Sequence, residues 1–310
     1  ISKRNIVVNT QIQVNPQKVL RQISPYLAGA CIEDVNHEVY GGIFSQMIYG
    51  ESFEEEPMRI LLGENPAFQG LEGTVSCLAE REYLSGCSEI RSWQPFRKGS
   101  ACGRLKATHL RSRRGHRSQR IEFLEGEGEV GIENQGLNRW GMNFVQGREY
   151  EGLVVLCARL PKDYPDGFLP VTVSLESADG SCIYAQMVLP VPADQQWHSL
   201  PFTLISAASD SGGRFSISLR QPGTLWVDYA LLQPGGWGRF RGTAARKDIG
   251  EALQAQGLTV MRYGGYMINT DWAHEQQAPG SGYRWKKMIG PRQDRPPYCG
   301  TFYRYNSNGF

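Results

Sequence analysis

Two short apolar segments, Tyr26-Leu-Ala-Gly-Ala-Cys-Ile32 and Leu258-Thr-Val-Met-Arg-Tyr263, constrain this chain more than any other feature. Each is a nearly unbroken run of the kind found in strands buried on both faces, as in a parallel sheet. A helical pattern precedes the second: Ile249, Ala252 and Leu253 share a face, Thr243 is placed to cap the start, and Gly257 to end it. Strand, helix and strand make a parallel β/α unit. A shorter helical pattern from Gly42, with Ile43, Phe44, Met47 and Ile48 at i, i+4 spacing, follows the first segment and stops at Gly50.

Residues 60–237, between the two parts of this unit, have another character. Strand-like runs such as 118–123, 151–157, 170–175, 183–188, 214–219 and 224–229 are separated by Gly, Pro, Asp and Ser turns, with no helical periodicity. That spacing predicts an antiparallel β-sandwich with its own core, inserted into the β/α unit. Residues 5–14 read as a further, half-exposed strand. The expected organisation is α/β plus all-β: an accessory strand in 1–20, β/α segments in 21–59 and 238–310, and the sandwich in 60–237.

Charge excludes some partners. The 310 residues carry 33 Lys and Arg against 31 Asp and Glu, a net +2, so neither nucleic acid nor an anionic membrane is expected as partner. The one basic run, Arg111 to Arg120, is broken by Ser and Gly and reads as a solvated loop. No apolar stretch approaches the ~20 residues of a membrane span. Seven cysteines occur without a Cys-x-x-Cys pair, so no metal site or other cofactor is expected. Cys77, Cys87 and Cys102 are close enough to allow a disulfide, whereas Cys31 and Cys157 read as buried thiols.

Three segments carry chemistry. Glu33 and Asp34 follow the first apolar strand. In a β/α barrel the strands' C-terminal ends face the active site, where a carboxylate can hold substrate. Side chains alternate along a strand, so only one of the pair faces that mouth. Gly264 and Gly265, directly after the second strand, allow a tight turn and close backbone approach to a ligand. Tyr283-Arg-Trp-Lys, leading into Ile289-Gly-Pro-Arg292, places Trp285 in a stiff aromatic loop of the kind that stacks on sugars.

Taken in order, Ile23-Ser-Pro-Tyr26, Glu33-Asp-Val-Asn-His37, Gly41-Gly-Ile-Phe-Ser45, Glu51-Ser-Phe53, Arg246-Lys-Asp-Ile249, Arg262-Tyr-Gly-Gly265 and the Trp285 loop resemble the family 51 glycoside hydrolases, mostly α-L-arabinofuranosidases. The resemblance implies a TIM (β/α)8 barrel, of which this chain supplies the first strands. It also implies retaining hydrolysis of terminal arabinofuranosyl groups on arabinose-containing oligo- or polysaccharides such as arabinoxylan, and an extracellular setting. By position, Glu33 resembles the family's substrate-holding glutamate, and Gly264, Gly265 and Tyr266 its sugar-contacting turn. Tyr263 runs directly into Gly264 where the family often has an intervening Pro. Tyr266 occupies the family's polar slot, leaving Asn269 to supply that contact.

The sandwich resembles carbohydrate-binding modules of the 4 and 9 type through Trp197-His-Ser-Leu-Pro-Phe and Gly223-Thr-Leu-Trp-Val-Asp-Tyr. Trp93, Trp140, Tyr150 and Trp226 are candidate sugar platforms, and Trp140, in a polar context, is the preferred one. A loop between a barrel strand and its helix lies on the catalytic face, so the sandwich is expected beside the mouth.

A retaining glycosidase needs two carboxylates about 5–5.5 Å apart. The resemblance places both on the fourth and seventh barrel strands, so no catalytic residue is expected in this chain and the chain alone is expected to be inactive. Three readings stay open: part of a glycosidase completed by a C-terminal portion, a carbohydrate-binding protein without catalysis, or a fragment stabilised by a partner.

Overall fold

The computed structural model describes residues 11–33, 38–54, 92–164, 167–263, 285–296, 298–299 and 306–307. The sandwich dominates them. One sheet has the order β10-β7-β12-β4-β3, built from β3 (Cys102–Thr108), β4 (Ser118–Glu125), β7 (Glu149–Arg159), β10 (Trp197–Ile205) and β12 (Gly223–Pro234). The other has the order β2-β5-β11-β8-β9, built from β2 (Trp93–Gly99), β5 (Gly128–Asn134), β8 (Phe168–Glu176), β9 (Ile183–Pro192) and β11 (Asp210–Leu219), with β6 (Met142–Phe144) paired to β11. Every pairing in both sheets is antiparallel. The six strand-like runs read from the sequence all lie in these strands.

Alternation sets the core. β3 buries every second residue, as a strand with one wet face must. The inward side chains of both sheets meet around Phe202 and Phe215, whose rings stack 5.8 Å apart at 3°. Gly152 admits the Phe202 ring: a Cβ there would lie 1.9 Å from its Cζ.

β12 is buried along almost its whole length, on both faces. Leu225, Val227, Ala230 and Leu232 enter the core, the loop at 111–117 crosses the other face at Trp226 and Asp228, and the chain at 46–51 bonds along the edge of β12. Met47 N–H donates to Leu232 O (2.8 Å), Ala230 N–H to Glu51 O (2.9 Å), and the Gln46 amide donates to Ala230 O while accepting from Leu232 N–H. Ile48 and Phe53, on the barrel side of the expected boundary at residue 60, therefore pack into the sandwich core. These bonds also explain why 42–50 is not the expected helix. The chain makes one π-helical turn, Val39–Ile43, and then extends, with its backbone N–H groups committed to Ala244 and β12.

The parallel unit is small. β1 (Gly29–Ile32) pairs in parallel with β13 (Val260–Tyr263), Gly29 opposite Val260 and Ile32 opposite Tyr263. Tyr26 and Leu27 lie in a 3₁₀ turn just before β1. The helix α1 (Lys247–Ala255) lies between the two strands in sequence, with the whole sandwich inserted ahead of it. Its stop is a Schellman motif: Gly257, at φ +75°, donates to Gln254 O and Leu258 to Leu253 O. Its cap is not Thr243, whose hydroxyl donates to Phe240 O and accepts from Ala245 N–H; Arg246 holds the N-cap position. Ile249 and Leu253 pack on Ile32, Val39, Ile43 and Phe44, while Ala252 faces water. A two-residue pair, β14 (Tyr298–Cys299) with β15 (Asn306–Ser307), completes the described strands. Of the expected strand at 5–14, residues 11–14 are exposed and not in a strand, and the rest lies outside the described residues.

Candidate functional site

The direction of α1 places the site. Thr259, just after the helix, donates from its N–H to Ala28 O at the start of β1, while Ala245, just before it, bridges to Phe44 beyond the end of β1. The helix therefore runs opposite to the strands, and its N-terminus lies at the edge where β1 runs out into Glu33. Glu33 is half-buried, with the Cys31 thiol 3.7 Å from its Oε1. Cys31 itself is exposed, not buried: among the described residues β1 pairs with β13 alone, and burial on both faces requires covering layers. Gly264, Gly265, Tyr266 and Asn269 lie outside the described residues. Trp285 opens a 3₁₀ turn, Trp285–Met288, with its side chain outside the description.

Of the four candidate platforms in the sandwich, three are core. Trp93 and Tyr150 are fully buried, Trp93 stacked 5.1 Å from Phe53 and donating to Gly50 O. Trp226 is covered by the guanidinium groups of Arg111 and Arg159, 4.8 and 5.6 Å from its ring. Trp140 is different, 75% exposed.

The loop that presents Trp140 is both strained and anchored. Gly136, Asn138, Arg139 and Gly141 all have positive φ, and for a non-glycine residue that costs about 1–2 kcal/mol, least for Asn. Gly136 N–H donates to the Asn134 side chain, Gly141 N–H to Gln135 O, and Arg139 pairs with buried Glu133 at 2.5 Å. Burial pushes the Glu133 carboxyl up, opposed by the Arg139 charge.

Trp140 lines a cleft of about 540 Å³ between the sandwich, the chain at 41–49 and the start of α1. Its apolar lining includes Met47, Leu137 and Trp237; its polar rim includes Asn143, Arg246, Lys247, Asp248 and Glu251. The volume falls in the ~300–1,000 Å³ range of small-ligand sites. Trp237 is fixed by a hydrogen bond from its Nε1 to Glu149 O and an edge-on contact with Tyr150. Sequence reading missed Trp237, although an aromatic inside Gly235-Gly-Trp-Gly238 is a local signal for an exposed ring.

The basic run is a loop between β3 and β4 with Arg114 to His116 exposed, as expected, but its backbone is tied down from beneath. Buried Asp228 accepts the N–H groups of Arg113 and Arg114 at 3.0 Å, and buried Glu54 those of His116 and Arg117 at 2.5 and 2.6 Å. The Arg113 side chain reaches Asp294 and Ser199, and Arg111 the Cys157 sulfur. Desolvation pushes Asp228 up to about 7, against the two N–H groups and Arg113 and helped by the nearby Glu54 charge. Glu54 is raised for the same first reason, against the His116 and Arg117 N–H groups and the Arg117 charge. These carboxylates hold the loop over β12. Cys157 is buried as expected, Cys182 is exposed, and Cys102 is disulfide-bonded. Among the described residues no group of three His, Cys, Asp or Glu is arranged to hold a metal, and no helix is long and apolar enough to cross a membrane.

No family model matches the chain. Curated relatives do. "Alpha-L-arabinofuranosidase 2" of Arabidopsis thaliana is 25% identical over 95% of this chain and 39% of its own length. "Extracellular exo-alpha-L-arabinofuranosidase" of Streptomyces chartreusis is 23% identical over 97% of this chain and 32% of its own length. The chain thus spans between about a third and two fifths of the length of the relatives it matches. A solved GH51 α-L-arabinofuranosidase with bound arabinose superposes with a TM-score of 0.68 at 19% identity, covering 94% of this chain and 42% of that one, which shows a shared fold over this region. The resemblance read from separate blocks of sequence therefore extends along nearly the whole chain.

Proposed function

We propose that this chain is the sugar-holding N-terminal part of a retaining α-L-arabinofuranosidase that acts on terminal arabinofuranosyl groups of plant polysaccharides. One observation carries it: Glu33 leaves a parallel strand at the edge where α1 begins, in an order of strand, inserted sandwich, helix and strand, within a chain similar in sequence to relatives of that name along most of its length. On this reading β1, α1 and β13 are the opening of a (β/α)8 barrel, and strand ends of such a barrel line the active site. Glu33, Gly264, Gly265, Tyr266, Asn269 and Trp285 hold the arabinose, and the two catalytic carboxylates belong to later strands, in a C-terminal portion. The sandwich sits beside the mouth as a carbohydrate-binding module. An extracellular location follows the Streptomyces relative's name.

Exposed Trp140 and its cleft favour a second reading, a carbohydrate-binding protein without catalysis. Two measurements on the 310-residue chain separate the claims. It should release no 4-nitrophenol from 4-nitrophenyl α-L-arabinofuranoside, and release would overturn the placing of the carboxylates. Calorimetric titration with an arabinofuranosyl oligosaccharide should show binding that Glu33→Gln weakens about tenfold or more, as loss of a charged hydrogen bond does. Unchanged affinity would remove Glu33 from the site.

A further inference from the structure

We propose that the cleft between the sandwich and α1 is a second glycan site, holding the pyranose main chain of a neutral polysaccharide against Trp140. It rests on the reading above for the polysaccharide class alone. The argument begins with exposure. The fold hides Trp93, Tyr150 and Trp226 but leaves the Trp140 indole in water, on a loop whose backbone is strained at Asn138 and Arg139. Such strain persists only where surrounding bonds over-determine it, and it clusters at ligand contacts. Here the Arg139–Glu133 ion pair and the Gly136 and Gly141 hydrogen bonds supply that support. An exposed ring on an anchored backbone offers stacking area at reduced entropic cost on binding.

The rest of the cleft selects the ligand. Met47, Leu137 and Trp237 extend the apolar surface, which suits the C–H face of a six-membered sugar ring. The charges on the rim come from α1 and its cap, and they pair with each other. Arg246 binds Asp248 through two hydrogen bonds, and Lys247 lies 3.9 Å from Glu251. With both cations already matched by carboxylates, no surplus positive charge awaits an acidic glycan. Neutral hydroxyl groups, in contrast, find donors and acceptors in those same side chains and in Asn143.

Position gives the site a role. The cleft reaches the N-terminus of α1, which lies at the edge where β1 delivers Glu33. A polymer whose arabinose branch occupies the Glu33 site would run its main chain across the junction between the two parts of the molecule. Neither part forms this cleft alone, since the sandwich supplies Trp140 and Trp237 and the start of the helix supplies Arg246, Asp248 and Glu251.

The test is affinity electrophoresis of the 310-residue chain in gels containing arabinoxylan, unsubstituted xylan or polygalacturonate, with calorimetry on xylohexaose. Both xylans should retard the chain and polygalacturonate should not. Trp140→Ala should weaken xylohexaose binding about tenfold or more, while Trp140→Phe, which keeps a ring, should retain part of it. Melting temperatures of both variants should match the parent, because the side chain is exposed. Glu33→Gln should leave retardation by unsubstituted xylan in place even if the arabinose site fails. Equal xylohexaose affinity in Trp140→Ala, or stronger retardation by polygalacturonate than by xylan, would overturn the proposal.

Discussion

The sandwich and the parallel pair are built from similarly apolar strands but bury them very differently. In β7, Val154 to Ala158 are all fully buried. In β13, Val260 and Met261 are 42% and 49% exposed, and Gly29 and Cys31 of β1 are exposed as well. Composition does not separate the two regions; neighbours do. β7 lies between β10 and β12, with the opposite sheet across the core, whereas among the described residues β1 and β13 have only each other. An apolar run states what a strand requires for burial, and the surrounding elements decide how much of it is met.

Truncation in each region puts that contrast to its severest test. Phe215→Ala removes a ring stacked at the centre of the sandwich and should cost about 3–5 kcal/mol in urea unfolding. Met261→Ala in β13 should cost under about 1 kcal/mol, because half of its side chain is already in water. Equal losses would mean that the parallel pair is packed as tightly as the sandwich.

A pH titration sharpens the account of how the sandwich gains its second cover. Asp228 ionises near 3.8 when unfolded and near 7 when folded. Its contribution is therefore fully present below about pH 4 and is lost as pH rises through about 7, and buried Glu54 shifts in the same sense. At ~1.4 kcal/mol per pKa unit, a few kcal/mol should disappear across that window. Asp228→Asn should flatten this part of the profile in thermal melts from pH 4 to 8. An unchanged profile would show that the carboxylate is not desolvated beneath the Arg113–Arg114 backbone.

A small effect belongs to the helix that joins the regions. Gly257→Ala forces a side chain into a left-handed backbone position and should cost about 1 kcal/mol, read as a lower melting temperature. No change would mean that α1 does not depend on its Schellman stop.

Much of the fold was legible because it is local. Strand-like runs between Gly, Pro, Asp and Ser turns marked six strands, and the Gly257 stop followed from the need for positive φ. The helix expected after Gly42 failed for a non-local reason: Met47 and Gln46 give their bonding to β12, on residues 184 or more positions away. Of the candidate site residues, Glu33 was legible from its place after an apolar strand, and Trp140 from its polar neighbours. Trp237, Asp248 and Glu251 were not, since nothing in their sequence context says that a sandwich loop will lie across from them.

By itself, then, the sequence determined the strand and turn pattern, the interrupted β/α unit and the near-neutral charge, because backbone preference and side-chain period act over a few residues. Tertiary structure alone brought Trp237 and the start of α1 across from the Trp140 loop. It alone also joined Glu54 to His116, 62 positions on, and Asp228 to Arg113, 115 positions back. Desolvation and hydrogen bonding depend on what is near in space, and the chain brings those groups together only after both sheets have closed.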